Sequence, residues 1–125
     1  MKRIINTENA PKAVGPYSQA VEANGTLYIS GQLPIDPATA KFVEGGIKEQ
    51  TEQVFKNIGA ILEAAGYTFN DVVKSTVLLN DIADFGAMNE VYATIYTKDM
   101  PARVAYQVAK LPMAALVEIE TIAVK

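Results

Sequence analysis

Apolar positions along the chain recur at two periods. In IKEQTEQVFKNIGAILEAAG, residues 47–66, Val54, Ile58, Ile61, Leu62 and Ala65 fall three or four apart, which puts them on one face of a helix. Gly66 stands where a left-handed cap would end it. Gly59, inside the pattern, costs about 1 kcal/mol relative to Ala, and a glycine at such a position permits close packing. A second helix is expected in DIADFGAMNEVYATIYT, residues 81–97, with Phe85, Met88, Tyr92 and Ile95 as its inward stripe and Asp81 or Asp84 as N-cap.

The other apolar runs alternate or are β-branched. YSQAVEANGTLYISGQLP reads as a hairpin about Asn24-Gly25, a strong two-residue turn signal. Residues 34–46, with two prolines and a Gly pair, read as a loop. DVVKSTVLLN, residues 71–80, reads as a buried strand. Two more strands are expected at about 103–110 and 116–124, joined around Leu111-Pro112, and residues 2–5 as a further short one. The order β-β-α-β-α-β-β predicts an α+β fold, a single sheet with both helices on one face, in one domain over 1–125.

That arrangement leaves the second sheet face without cover. In the last strand Leu116, Glu118, Glu120, Ile122 and Val124 share one face, and Val117, Ile119, Thr121 and Ala123 share the other. Both faces are substantially apolar, so the open one is expected to pack against another copy of the chain.

Composition narrows the chemistry. The chain has no histidine, no cysteine and no tryptophan. Imidazole and thiol chemistry are therefore excluded, and no carboxylate cluster has the spacing of a Ca²⁺ loop. No cofactor and no metal are expected. The net charge is −3 and the eleven Lys and Arg are scattered, which disfavours nucleic acid as a partner. No apolar run is long enough to span a membrane, and no secretory signal opens the chain, so a cytoplasmic protein is expected.

The sharpest question is Arg103, in KDMPARVAYQVAKLP. No acid follows it closely, and the downstream carboxylates are Glu118 and Glu120. If strands 103–110 and 116–124 form a hairpin whose partners sum to about 225, Arg103 lies opposite Ile122. The arginine and both glutamates then share the face assigned to the oligomer boundary. From chemistry alone a structural ion pair is the leading reading. The alternative is a site where the guanidinium grips a small carboxylate and a glutamate polarises water. Ser30-Gly31 reads either as a tight strand end or as donors to a ligand, Tyr17 as core or as a ligand-facing phenol, and Asn89 as a surface or a buried hydrogen-bonding residue.

The stretches GPYSQAV, ISGQLP, VFKNIGAILEAAG, VVKSTVLLND, MPARVAYQVAKLP and VEIETIAV occur in this order over nearly the whole chain. Together they resemble the Rid family of reactive-intermediate deaminases, the YjgF-like proteins. The resemblance implies a chorismate-mutase-like fold and a homotrimer with a central β-barrel and clefts between subunits. It also implies hydrolysis of enamines and imines such as 2-aminoacrylate and 2-iminobutyrate to 2-keto acids and ammonia. By motif, Arg103 would hold the substrate carboxylate and Glu118 would position the attacking water. Tyr17 would reach the cleft from a neighbouring subunit, Ser30 and Gly31 would line it, and Asn89 would lie near the ligand. Glu120 is left as structural. Several members carry a small polar pair such as Ser-Cys after Pro-Ala-Arg; here the pair is Val104-Ala105, which removes a thiol from the cleft and bears on substrate preference. The competing readings are a trimeric sensor that binds 2-keto acids without turnover, and an endoribonuclease or translation inhibitor.

Overall fold

The computed structural model describes all residues from Met1 to Lys125. Six strands form one sheet: β1 (Arg3–Ile5), β2 (Ala20–Ala23), β3 (Thr26–Gln32), β6 (Val72–Leu79), β7 (Ala102–Gln107) and β8 (Val117–Val124). Their spatial order is β1-β2-β3-β8-β6-β7. Two helices, α1 (Ile47–Ala65) and α2 (Phe85–Ile95), cross its inner face. The loop expected at 34–46 holds a miniature hairpin of β4 (Ile35–Asp36) and β5 (Lys41–Phe42).

The local signals act as expected. Ala23 pairs with Thr26 across Asn24-Gly25. Both turn residues have positive φ, 52° and 74°, the backbone that lets a two-residue turn follow the strand twist. A Cβ on Gly25 would lie 2.8 Å from the Lys125 carbonyl oxygen. Gly25→Ala is therefore expected to destabilise the fold by about 1–2 kcal/mol, and an unchanged thermal midpoint would refute this.

In α1 the whole expected stripe is buried, with Val54, Ile58 and Ile61 fully enclosed. Glu49 accepts from the Gly46 N–H at 2.8 Å at its start. Gly66, at φ 84°, closes it by donating to Leu62 and Glu63. Arg3 and Lys125 donate to the Ala65 and Gly66 carbonyls, placing cations on the negative end of the helix dipole. At Gly59 a Cβ would meet the Phe69 ring at 3.2 Å, which is the close packing that the glycine signalled. Asp81 caps the short 3₁₀ turn Ile82–Asp84 ahead of α2 by accepting from Ala83 at 2.9 Å; the Asp84 side chain makes no capping bond.

The last two strands depart from the expected hairpin. β7 pairs in parallel with β6, Ser75 opposite Arg103 and Leu78 opposite Tyr106. β8 lies antiparallel between β3 and β6, with Ile122 opposite both Tyr28 and Lys74. Two physical reasons decide this. A helix between two strands carries the chain back to run parallel, which is how α2 joins β6 to β7. Burial then sets the order: Val117, Ile119, Thr121 and Ala123 are all fully enclosed, whereas most of β7 is exposed. The buried strand takes the centre and the exposed one the edge. Residues 108–116 form no tight turn; they cross over through a 3₁₀ turn at Pro112–Ala114 in which Met113 and Ala114 have positive φ.

The face parity of β8 holds. Val117, Ile119, Thr121 and Ala123 face the helices, while Glu118, Glu120, Ile122 and Val124 face away. With them on the uncovered face stand Tyr28, Val104 and Tyr106, each about half exposed.

Candidate active site

Parallel pairing changes where Arg103 goes. Opposite Ser75, which is fully buried on the helix side, Arg103 shares that face. Glu118 and Glu120 pair with Leu78 and Thr76 on the other. The expectation that the arginine and the two glutamates share one face is therefore wrong. A residue on a strand changes face when a change of partner shifts the register by one residue.

On the open side the chain builds a cleft of about 550 Å³ whose walls include Tyr17, Ser30, Gly31, Met113, Glu118 and Glu120. A β-bulge shapes it. Ile29 pairs with Thr121 and Gln32 with Ile119, so β3 has one residue more than β8 over this stretch, and Ser30-Gly31 together oppose Glu120. Such bulges re-aim side chains beside sites. Ser30-Gly31 is thus a bulge within a continuing strand, not a strand end.

The bulge brings backbone against the Glu118 carboxyl. A Cβ on Gly31 would fall 3.0 Å from Cδ and 3.2 Å from Cγ of Glu118, and closer still to its oxygen. Only glycine leaves room for the carboxylate to lie there. The Ser30 hydroxyl donates to the Ser18 carbonyl at 2.6 Å, tying the bulge to the segment that carries Tyr17. Tyr17 itself is 51% exposed, so it is a wall of the cleft and not core.

Burial pushes the half-buried Glu118 above the usual carboxylate range, and the like charge of Glu120 adds to this. The two ion pairs of the chain are Arg3–Glu22 and Lys48–Glu90, so neither cleft carboxylate is neutralised by a cation of its own chain. A carboxyl held in this way can exchange a proton with water nearer neutral pH than an ordinary one.

On the helix side Arg103 is held without a carboxylate. Its Nη1 donates to Asn89 Oδ1 at 2.6 Å. Its guanidinium carbon lies 4.6 Å from the Tyr92 ring centre and 5.3 Å from that of Phe85. The side chain is exposed, positioned and unpaired, which leaves its fork of donors open to an external anion. Asn89 falls between the two alternatives offered by the sequence: it makes a hydrogen bond, but it is half-buried and the bond is exposed.

Within one copy, then, Tyr17, Ser30, Gly31 and Glu118 come together, and Arg103 and Asn89 come together elsewhere. Sequence reasoning missed Gln19. Its buried amide accepts from Thr7 N at 2.7 Å and donates to the carbonyls of Thr7, Ala10 and Pro11, pinning the strap that borders the cleft. Nothing in the sequence separates this glutamine from the surface ones. The Tyr92 and Phe85 stripe was legible as core, but not as the platform under Arg103.

No helix is long and apolar enough to cross a membrane, and no cluster of three or more acidic side chains is placed to hold a metal ion.

The sequence and the fold have counterparts in known proteins. The chain is 59% identical to a RutC family protein of Pyrococcus horikoshii over 125 residues, covering all of this chain and 99% of the other. It is 54% identical to the 2-iminobutanoate/2-iminopropanoate deaminase of Mus musculus, covering all of this chain and 93% of the mouse protein. The crystal structure of YyfA from Yersinia pestis, described as a protein of unknown function of the conserved Rid family, superposes with a TM-score of 0.97 at 48% identity, with both chains fully covered. The sequence profile of the Endoribonuclease L-PSP family matches residues 7–125. On this profile match and these full-length identities, the chain belongs to this family, that of the Rid or YjgF-like proteins.

Proposed function

We propose that this protein hydrolyses the imines derived from small 2-enamino acids, 2-iminopropanoate (from 2-aminoacrylate) and 2-iminobutyrate, to the 2-keto acids and ammonia. The relatives named as deaminases of these compounds support the reaction. The observation that carries it is Arg103: a fixed guanidinium with no carboxylate of its own chain, suited to bind the carboxylate that every such imine bears.

Glu118 is the general base. It takes a proton from water as the oxygen bonds to C2 and the C=N π pair moves to nitrogen. That proton passes to the nitrogen to give the carbinolamine; the hydroxyl proton then moves by way of Glu118 to the nitrogen, the C–N bond breaks with its electron pair going to nitrogen, and ammonia leaves as the oxygen lone pair closes the C=O. Tyr17, Ser30 and Gly31 wall the cleft, and Asn89 orients Arg103. No metal or cofactor enters these steps. Positioning and one carboxylate are the whole requirement.

The two groups lie on opposite faces of one sheet, so a substrate meets both only where one copy supplies Glu118 and another supplies Arg103. A homotrimer with the open faces turned into a central barrel and clefts between subunits satisfies this. The half-apolar open face, with Tyr28, Val104 and Tyr106 exposed, supports it. The family description speaks of an endoribonuclease. A chain with net charge −3 and no histidine, whose cleft carries two carboxylates, favours a small monoanion over a polyanion.

The test is competition with a trap. Threonine dehydratase generates 2-iminobutyrate in the presence of semicarbazide, and 2-ketobutyrate is followed. The protein should outrun the trap; if it does not, over a range of amino-acid-derived imines, the catalytic reading falls and a binder of 2-keto acids remains. In the same assay Gly31→Ala, whose Cβ displaces the Glu118 carboxyl, is expected to lose on the order of 100-fold in rate. A rate near wild type would remove the close approach from the mechanism.

A further inference from the structure

We propose that Tyr92 is a positioning residue for the substrate-binding arginine: its buried ring face, not its hydroxyl, holds the Arg103 guanidinium in place for a carboxylate. The inference rests on the reading of Arg103 as a carboxylate clamp.

Arg103 sits on an exposed edge strand, where a long side chain would ordinarily sample many rotamers. Three contacts restrain it, and Tyr92 supplies the nearer of the two aromatic faces, 4.6 Å against 5.3 Å for Phe85. A cation over a ring face is attracted by the ring quadrupole, more so where the ring is shielded from water. Tyr92 is only 6% exposed.

The ring is itself immobilised. It packs edge-on to Phe55 with centres 5.7 Å apart, and lies 4.8 Å from Tyr96, one helical turn on. Phe55 belongs to α1, so the platform is braced by both helices. The third contact, the Asn89 amide oxygen, is also on α2. Thus α2 presents Phe85, Asn89 and Tyr92 towards one guanidinium at helical spacing. The restraints are neutral: two ring faces and an amide oxygen fix the group without cancelling its charge, whereas a carboxylate in their place would compete with the substrate. The Tyr92 hydroxyl has no hydrogen-bond partner in the chain, so the hydroxyl contributes nothing to this arrangement.

The experiment measures 2-ketobutyrate affinity by calorimetry, together with the side-chain NMR signals of Arg103, in the full-length protein. Tyr92→Phe should bind as wild type does and keep the upfield ring-current shift of the Arg103 side-chain protons. Mono-, di- and trifluorophenylalanine at the same position drain the ring face without changing its shape, and should weaken binding stepwise, reaching about tenfold. Tyr92→Leu should weaken it at least as much and abolish the ring-current shift, and KM should rise more than kcat falls. The fluorinated series keeps the test open should Tyr92→Leu fail to fold. Affinity that stays flat across the fluorinated series, or Arg103 signals that do not move in a folded Tyr92→Leu, would overturn the proposal. Wild-type protein that shows ring-shifted Arg103 signals sensitive to position 92 but no imine turnover would defeat the catalytic reading while supporting this one.

Discussion

Glu118→Gln is expected to bring imine turnover down to the background rate, a loss on the order of 100-fold, while 2-ketobutyrate still binds with affinity close to that of wild type. Glutamine keeps the size and much of the polarity of the carboxyl, so the cleft against Gly31 stays filled. What it lacks is the ability to take a proton from water. The wild-type rate should also carry the mark of the raised Glu118 ionisation. A base works only when deprotonated, so activity is present above its pKa and lost as pH falls through it. Because burial and Glu120 raise that pKa, the acid limb should lie at higher pH than for an ordinary carboxylate. Glu120→Gln, which removes the like charge, should move the limb towards lower pH. Glu118→Gln protein that still turns over at an appreciable rate would remove the residue from catalysis.

Arg103→Ala is expected to lose both functions together. Binding of 2-ketobutyrate should weaken by on the order of 100-fold, because two charge-assisted hydrogen bonds to the carboxylate disappear. Turnover should fall in parallel. Arg103→Lys should rescue little of either: an ammonium cannot offer a planar fork, and it lies less well across the Tyr92 and Phe85 rings. Calorimetry separates the two predictions cleanly, since only the arginine variants should fail to bind. If Arg103→Ala bound 2-ketobutyrate as wild type does, the carboxylate clamp would have to be sought elsewhere.

Much of this was legible in the sequence because its causes are local. Asn24-Gly25 dictates its turn by backbone sterics, the stripe from Val54 to Ala65 dictates a helix face, and alternation in VEIETIAV separates Glu118 from Ile119 whatever the partner strands are. The placement of β7 was not legible, because it depends on a choice between two distant partners. A hairpin with β8 and a crossover to β6 are both compatible with the same residues, and the choice decided the face of Arg103. The Ser30-Gly31 bulge escaped for a related reason: one extra residue in a ladder leaves no trace in an alternating pattern. Gln19 and Tyr92 show a third limit. Their types were plain, but the groups they hold, a strap of carbonyls and a guanidinium, lie on other segments.

The separation of the clamp and the base onto opposite sides of one sheet has a genetic consequence. In the proposed trimer a working cleft takes Glu118 from one copy and Arg103 from another. Two inactive alleles, one carrying Arg103→Ala and the other Glu118→Gln, should therefore complement each other when coexpressed. Random assembly from equal amounts would leave about one cleft in four with both groups intact. A double mutant, with both lesions on one chain, would complement neither.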